Sequence, residues 1–593
     1  MCGIFGFWLN RKLDDDDIRK GDLITKTLEH RGPDSQKNWY DKDKGIYFGF
    51  RRLAIIDLSE NSNQPIVRGN TSLIFNGEIY NFKDLKNYLL TKKYSFQSTG
   101  DGEVLLNIWK ELEIESLKKI DGMYAFAIYH NQKLNLVTDN FGEKPLFYLI
   151  NNEGLYFSSE IKQLLSISNC KLDVTNKFYS NFIKYGYDVN FNTGYNNIKL
   201  IPPATILEFN NPKKLKEIKY WKLEKIKQKE LRKNFNSNDY KKLKSLLIES
   251  INLRLISDVP IGLFLSSGID SSLIASIVKK ELNYDLDTYT VSFSENDESH
   301  LAAKIAKYLK LKHNVINTKS DNFYTIQNLL SVFDFPNDNL TSLSIYLMSN
   351  SVKKKIKVAL NGLGGDEAFF GYNKYKFVNR NQLINRIPKF FKNFILFTRM
   401  NYLFNSKKVN NFYKYLSFDN ERKYLFINNR LSSELYKKNI DNNELYEFKD
   451  DFLKSTINFE KNITLPMSYA LANDLGSMRA SIETRSPFLS KKLFEFTNQF
   501  DLSCFFKNGN KTPLRDLLKD YLPENLINQS KKGFNVPNKN FSLSDNDLFN
   551  KLINNTDYDF KNDLSIYSVK DKNRISLRFK IIDEFIKNYG KDY

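Results

Sequence analysis

Through the first third of the chain, apolar and polar residues alternate over short stretches at 45–51, 72–75, 124–129, 134–138 and 155–158. A period of two predicts strands with one buried face. Helical spacing is clearest in the same region at 81–90 and 103–109, so the pattern predicts a strand-rich sandwich with helices on its faces. The next stretch, 210–238, is rich in lysine and poor in apolar residues apart from Tyr220-Trp221, and it reads as a linker. Beyond it, long helical patterns alternate with short apolar runs at 261–265, 287–293 and 357–360. That alternation predicts a parallel sheet with crossover helices. The expected division is therefore 2–209, a linker at 210–238, and 239–593, with an α/β fold class in all.

A chain of 593 residues is long enough to bury two substantial cores. Its longest apolar runs, such as 261–265 and 394–397, fall far short of the ~18 residues of a membrane span. The apolar start at 4–9 has no basic residue before it, so a signal peptide is not expected and a cytoplasmic enzyme is. The formal charge of +20 raises the question of nucleic acid. The lysines are interleaved with Asp, Asn and Glu rather than gathered with aromatics, so no nucleic-acid partner is expected. A positive field still favours anionic substrates. Cys2, Cys170 and Cys504 are too few and too scattered for a disulfide framework or a zinc cluster.

Cys2 stands directly behind Met1. Removal of Met1, which the small neighbour permits, would place a thiol and a free α-amine on one residue, and an amine of pKa about 8 can relay the thiol's proton. Downstream come His30-Arg31-Gly32-Pro33-Asp34, Arg52-Leu53-Ala54-Ile55-Ile56-Asp57, Asn76-Gly77-Glu78-Ile79-Tyr80-Asn81 and Thr99-Gly100-Asp101. In these motifs and their order the first 200 or so residues resemble the class II glutamine amidotransferases. The resemblance implies an αββα sandwich of the N-terminal-nucleophile type with Cys2 as nucleophile. Asn76 through its side chain and Gly77 through its backbone N–H would then hold the oxyanion, where each donor is worth about 100-fold to 1,000-fold in rate. Glutamine would be held by Arg52, whose planar fork suits the α-carboxylate, by Ile55, and by Asn76, Gly77, Glu78 and Asp101 around the α-ammonium.

In the second half an apolar strand runs into Ser266-Ser267-Gly268-Ile269-Asp270-Ser271-Ser272, followed by an apolar helical pattern at 273–278. Such a turn presents N–H groups, hydroxyls and a helix N-terminus to an anion. Taken alone it is equally well a Ser-rich capped turn, and it is not a Walker A motif. With its flank Arg254-Leu255-Ile256-Ser257-Asp258-Val259-Pro260, and with Asn361-Gly362-Leu363-Gly364-Gly365-Asp366-Glu367, the 477–489 segment and Lys531-Lys532-Gly533-Phe534, it resembles the asparagine synthetase branch of the ATP pyrophosphatases. Nearly the whole chain thus resembles glutamine-hydrolysing asparagine synthetases, which join a glutaminase to a helix-rich parallel-sheet synthetase.

That resemblance implies ATP and Mg²⁺ as cofactors and an acyl-AMP intermediate. Asp270 and Asp366 would hold the metal. Leu265, Ser266, Gly268, Asp270, Ser271, Ser272, Val291, Asn361, Gly362 and Lys531 would form the ATP site. Arg485 and Glu483 read either as site residues or as an ion pair beneath the site. The expected partners are glutamine, ATP and a carboxylate acceptor, with aspartate to asparagine as the first reading, a uronic acid of a surface polysaccharide as the alternative, and room for a homodimer. Two departures bear on the acceptor: Leu363 stands where the family carries a Glu, and Phe335 replaces an acidic or amide residue. Both are expected at the acceptor pocket, and Glu367 is the carboxylate nearest in sequence to take over a proton-accepting role. A nonenzymatic regulator is disfavoured by the intact Cys2, Arg52, Asp270 and Asp366.

Overall fold

The computed structural model describes residues 2–168, 170–223, 230–292, 299–317, 323–381, 387–398, 407–428, 448, 451–527 and 569–589. In chain order the first half carries β1 (Gly3–Leu9), β2 (Ser35–Asp41), β3 (Ile46–Arg52), β4 (Ile66–Arg68), β5 (Thr71–Ile79), β6 (Gly122–His130), β7 (Lys133–Thr138), β8 (Phe147–Ile150), β9 (Gly154–Ser158), β10 (Ile198–Leu200), β11 (Thr205–Asn211) and β12 (Lys214–Lys219). They form two six-stranded sheets, ordered β10-β8-β9-β1-β3-β2 and β12-β11-β7-β6-β5-β4. Ile4, Phe48 and Phe50 of one sheet meet Ile74, Ala125, Ala127 and Leu136 of the other in a buried layer. The outer faces are covered by helices Asp15–Lys26 and Ile161–Ile167 on one side and Phe82–Thr91 and Asp101–Leu112 on the other. The result is an αββα sandwich, as the alternation predicts. The run at 4–9 is β1, buried at all seven positions because it lies between β3 and β9 with both faces covered.

The stretch 210–238 opens with β12, an exposed edge strand paired antiparallel to β11. It closes at helix Ser237–Arg254, whose start is fixed by the Asn236 and Asp239 capping box. The second half then builds one sheet from β13 (Ile261–Phe264), β14 (Asp287–Ser292), β15 (His313–Asn317), β16 (Val358–Leu360) and β17 (Glu483–Arg485), ordered β15-β14-β13-β16-β17. Every pairing in it is parallel. The order reverses between β13 and β16, which opens a crevice at the carboxyl ends of these two strands. One continuous helical rod crosses behind: α-helix Phe452–Phe459, π-helix Glu460–Ala470 with Pro466 inside it, and α-helix Leu471–Met478. The two halves share apolar packing, since Phe5, Phe147 and Phe182 lie in one buried cluster with Phe333, Phe459 and Phe579.

Candidate functional site

Antiparallel pairing sets Gly3 against Arg51, so Cys2 at the mouth of β1 stands beside Arg52 at the end of β3. Across the sandwich, the Cys2 backbone N–H donates to Asn76 Oδ1 on β5 at 3.0 Å. Asn76 is fully buried, and its Nδ2 has no hydrogen-bond partner among the described residues. Gly77 follows at φ +148°, where a Cβ would stand 2.0 Å from the Met123 carbonyl oxygen. Only glycine fits there, and it lines the same pocket as the thiol. A pocket of about 440 Å³, counted with its open mouth, is lined by Cys2, Arg52, Ile55, Gly77, Glu78 and Asp101 among others. Six of the seven residues expected around glutamine therefore line one pocket, and Asn76 backs it.

The electrostatics of this pocket are those of a closed site. Burial pushes the Cys2 thiol up to about 11, against the neighbouring N-terminal charge and Arg52. Burial raises Asp101 to about 6 although its carboxylate accepts the Ile79 N–H at 2.8 Å. Burial also raises Glu78 well above the usual range, helped by Glu483 and Asp101 and opposed by Arg485. Arg485 Nη2 lies 3.3 Å from Glu78 Oε1, and its Nε donates to Glu483 at 2.6 Å. Arg485 and Glu483 thus form an ion pair, and through Glu78 it stands against the pocket that Cys2 lines. Arg52 is held by donating to Ser59 O at 2.7 Å, to Asn63 Oδ1 at 2.9 Å and to Asp57 O.

The second centre lies at the sheet's switch point. Leu265 continues β13 by donating its N–H to Tyr289 O at 2.9 Å, beside Val291 on β14. The following turn is folded on its own hydroxyls, with Ser266 N donating to Ser271 Oγ at 3.1 Å and Gly268 N to Ser266 Oγ at 3.2 Å. Ser271 and Ser272 begin the helix Ile269–Lys280. The 361–366 loop packs against it so closely that a Cβ on Gly365 would stand 2.5 Å from Asp270 Oδ1, and one on Gly362 would stand 2.9 Å from Asp270 Cβ. Asn361 fixes that loop: its Nδ2 donates to Asn473 at 2.9 Å, while its Oδ1 accepts from Ser486 Oγ at 2.8 Å.

Asp270 and Asp366 converge on one ammonium. Lys511 Nζ lies 2.5 Å from Asp270 Oδ2 and 2.7 Å from Asp366 Oδ1. Two carboxylates already aimed at a single cationic point fit a hard divalent ion that takes its remaining ligands from phosphates and water. Sequence reasoning missed Lys511, because one lysine among so many carries no signal. Its left-handed φ of +58°, just ahead of the Pro513 helix start, is visible only in three dimensions. Lys531 lies outside the described residues.

Of the two departures, Leu363 is half-buried on the 361–366 loop. Phe335 corrects the expectation for its position: it is 1% exposed and packs edge-on against Phe147 at 6.0 Å and Phe333 at 6.1 Å. Its ring belongs to the apolar layer between the halves, not to a pocket with Leu363. Glu367 also turns inward, accepting the Tyr372 hydroxyl at 2.5 Å, and burial together with Asp366 pushes it up to about 7.

Comparison with known proteins agrees with this geometry. The family model described as asparagine synthase matches residues 242–569, and that of a glutamine amidotransferase domain matches residues 1–221. Asparagine synthetase [glutamine-hydrolyzing] 1 of Bacillus subtilis (strain 168) is 29% identical over 565 residues, covering 91% of this chain and 87% of that protein. A putative asparagine synthetase [glutamine-hydrolyzing] 2 of Methanocaldococcus jannaschii is 29% identical over 66% of this chain and 79% of its own. Asparagine synthetase [glutamine-hydrolyzing] 3 of B. subtilis is 31% identical over 63% of each.

Proposed function

This chain belongs to the asparagine synthase family, and from that premise we propose that it amidates aspartate to asparagine through an aspartyl-AMP intermediate. The coarser activity follows from the family: glutamine-dependent, ATP-using amide transfer to a carboxylate. The observation that carries the two-centre reading is the pairing, in one chain, of the Cys2 pocket with two carboxylates converging at the switch point, and the relatives named asparagine synthetases support aspartate as the acceptor.

In this reading, Cys2 with its amine freed of Met1 attacks the glutamine amide carbon. The α-amine of Cys2 takes the thiol's proton. Asn76 Nδ2 and the Gly77 N–H receive the negative oxygen, ammonia leaves, and water releases glutamate from the thioester. Arg52 holds the α-carboxylate, and Asp101 and Glu78 hold the α-ammonium. At the second centre the turn 266–272 cradles the phosphates, and the acceptor carboxylate displaces pyrophosphate to form the acyl-AMP that ammonia then attacks. Asp270 and Asp366 would hold Mg²⁺, which supplies charge neutralisation of the leaving pyrophosphate.

Leu363 favours a second reading. Where the family carries a Glu, this wall of the crevice is apolar and cannot exchange a proton, which suits a larger acceptor such as a uronic acid. The deciding experiment measures AMP formation with Mg²⁺-ATP and ammonium or glutamine while the acid is varied. Aspartate-dependent AMP matched by asparagine, at about 1 s⁻¹ or faster, is the expected result. AMP formation that ignores aspartate and responds to a uronic acid overturns aspartate as the acceptor.

A further inference from the structure

The segment 55–63 forms one side of the glutamine pocket through Ile55, Ile56 and Ser62. It is also what orients Arg52, because the guanidinium donates to the carbonyls of Ile56 (3.4 Å), Asp57 and Ser59 (2.7 Å). Within it Asp57 adopts a left-handed φ of +53°, a conformation that needs outside support in any residue but glycine. Some of that support is local: the Asp57 carboxylate accepts the N–H groups of Ser59 at 3.0 Å and Thr99 at 2.7 Å.

The rest comes from the other half of the molecule. Asp258 lies just before β13, the strand that leads into the phosphate turn. Its backbone N–H donates to Ile55 O at 2.9 Å, and its carboxylate accepts the Asp57 N–H at 2.7 Å. These two bonds grip the segment at Ile55 and Asp57, on either side of Ile56, and the carbonyls of Ile56 and Asp57 are two of the three that hold Arg52. A carboxylate receiving a backbone N–H makes one of the stronger hydrogen bonds available at a surface.

We propose that Asp258 is a positioning residue for the glutamine site, clamping segment 55–59 so that the Arg52 guanidinium is set for the α-carboxylate of glutamine. The synthetase half then completes the pocket of the glutaminase half, and the strand leading to the phosphates is the part that does so. The inference rests on the reading of Arg52 as the carboxylate ligand.

Asp258 is exposed, so Asp258→Ala removes the acceptor without opening a core. Its KM for glutamine should rise about tenfold while kcat changes less than about threefold, the pattern of lost binding rather than lost chemistry. Asp258→Asn keeps an acceptor oxygen and should restore KM to within about twofold of the unaltered chain. With 4-aminobutanamide, which has the amide but no α-carboxylate, kcat/KM should be the same for Asp258→Ala and the unaltered chain. An unchanged glutamine KM in Asp258→Ala, or equal losses on both amides, overturns the proposal while leaving the glutaminase reading intact. Absence of Cys2-dependent glutamine hydrolysis in the unaltered chain overturns that reading and this inference with it.

Discussion

Lys511 shows what a single side chain decides here. Its ammonium satisfies Asp270 and Asp366 together, and it is almost fully enclosed, with 5% of its side chain exposed. Removing one member of a buried ion pair costs about 3–5 kcal/mol because the remaining charge stays desolvated. Lys511→Met should therefore melt at a lower temperature than the unaltered chain in the absence of divalent ions. Millimolar Mg²⁺ should return much of that loss by binding the two carboxylates in the native state only, while shifting the unaltered chain far less. Thermal melts of both chains with and without Mg²⁺ test this, and an equal Mg²⁺ response in the two would show that the carboxylates do not form a cation site. The acids themselves were legible in the sequence because they sit in ordered motifs. Lys511 was not, since what distinguishes it is a left-handed backbone and a position between two loops about 145 and 240 residues away.

Among elements, the buried strands announced themselves as short runs rich in apolar and aromatic residues. The stretches expected at 124–129 and 134–138 are β6 (Gly122–His130) and β7 (Lys133–Thr138). β1 was read only as an apolar run at 4–9, although it is buried at every position as β3 is. The π-helix Glu460–Ala470 was equally hidden, since its wider ridge places side chains at a spacing no 3.6-residue pattern signals. It carries Lys461, whose Nζ has no hydrogen-bond partner among the described residues and lies over the rings of Phe370 at 4.9 Å and Phe494 at 5.0 Å. Burial pulls its ammonium down to about 7, against the attraction of Glu367. Between that value and an unfolded lysine near 10.4, the unfolded chain binds a proton the native chain does not, so this lysine costs stability increasingly as pH falls through that window. Below about 7 the cost is constant, on the order of 5 kcal/mol. Lys461→Met should accordingly raise the melting temperature, by more at pH 7 than at pH 9. A melting temperature that falls, or a gain that grows toward alkaline pH, would show that the charged form is what the site holds.

At the scale of the whole molecule the seam between the halves is ionic at its centre. Arg31 of the first half is fully buried, donating to Cys2 O at 3.3 Å, to Glu160 at 3.1 Å and to Asp474 of the helical rod at 2.8 Å. Lys144 joins Asp474 from the same side at 3.2 Å. Two buried cations thus face two buried carboxylates, one bond away from the proposed nucleophile, and His30 closes the Glu160 end at 2.9 Å. Asn473, next in the chain to Asp474, holds Asn361 of the phosphate-side loop. A second pair spans the seam at its edge, Lys357 with Asp34 at 2.7 Å, but about a third of each side chain is exposed. The physical difference between the two pairs sets the prediction. Lys357→Met deletes a solvent-screened pair worth about 0–1 kcal/mol and should leave stability and glutamine hydrolysis nearly unchanged. Asp474→Asn has the same shape as the residue it replaces but strands a net positive charge in the seam, which costs about 3–5 kcal/mol. It should lower the melting temperature clearly. Because Arg31 then turns fully to Glu160 and away from the Cys2 carbonyl, it should also lower kcat for glutamine hydrolysis more than it raises KM. Parallel melts and glutaminase kinetics on the two variants decide the matter. If Lys357→Met and Asp474→Asn lose stability to the same extent and hydrolyse glutamine alike, the buried quartet is neither the anchor of the seam nor a support of Cys2, and the halves are held by their shared apolar clusters and the other bonds across the seam.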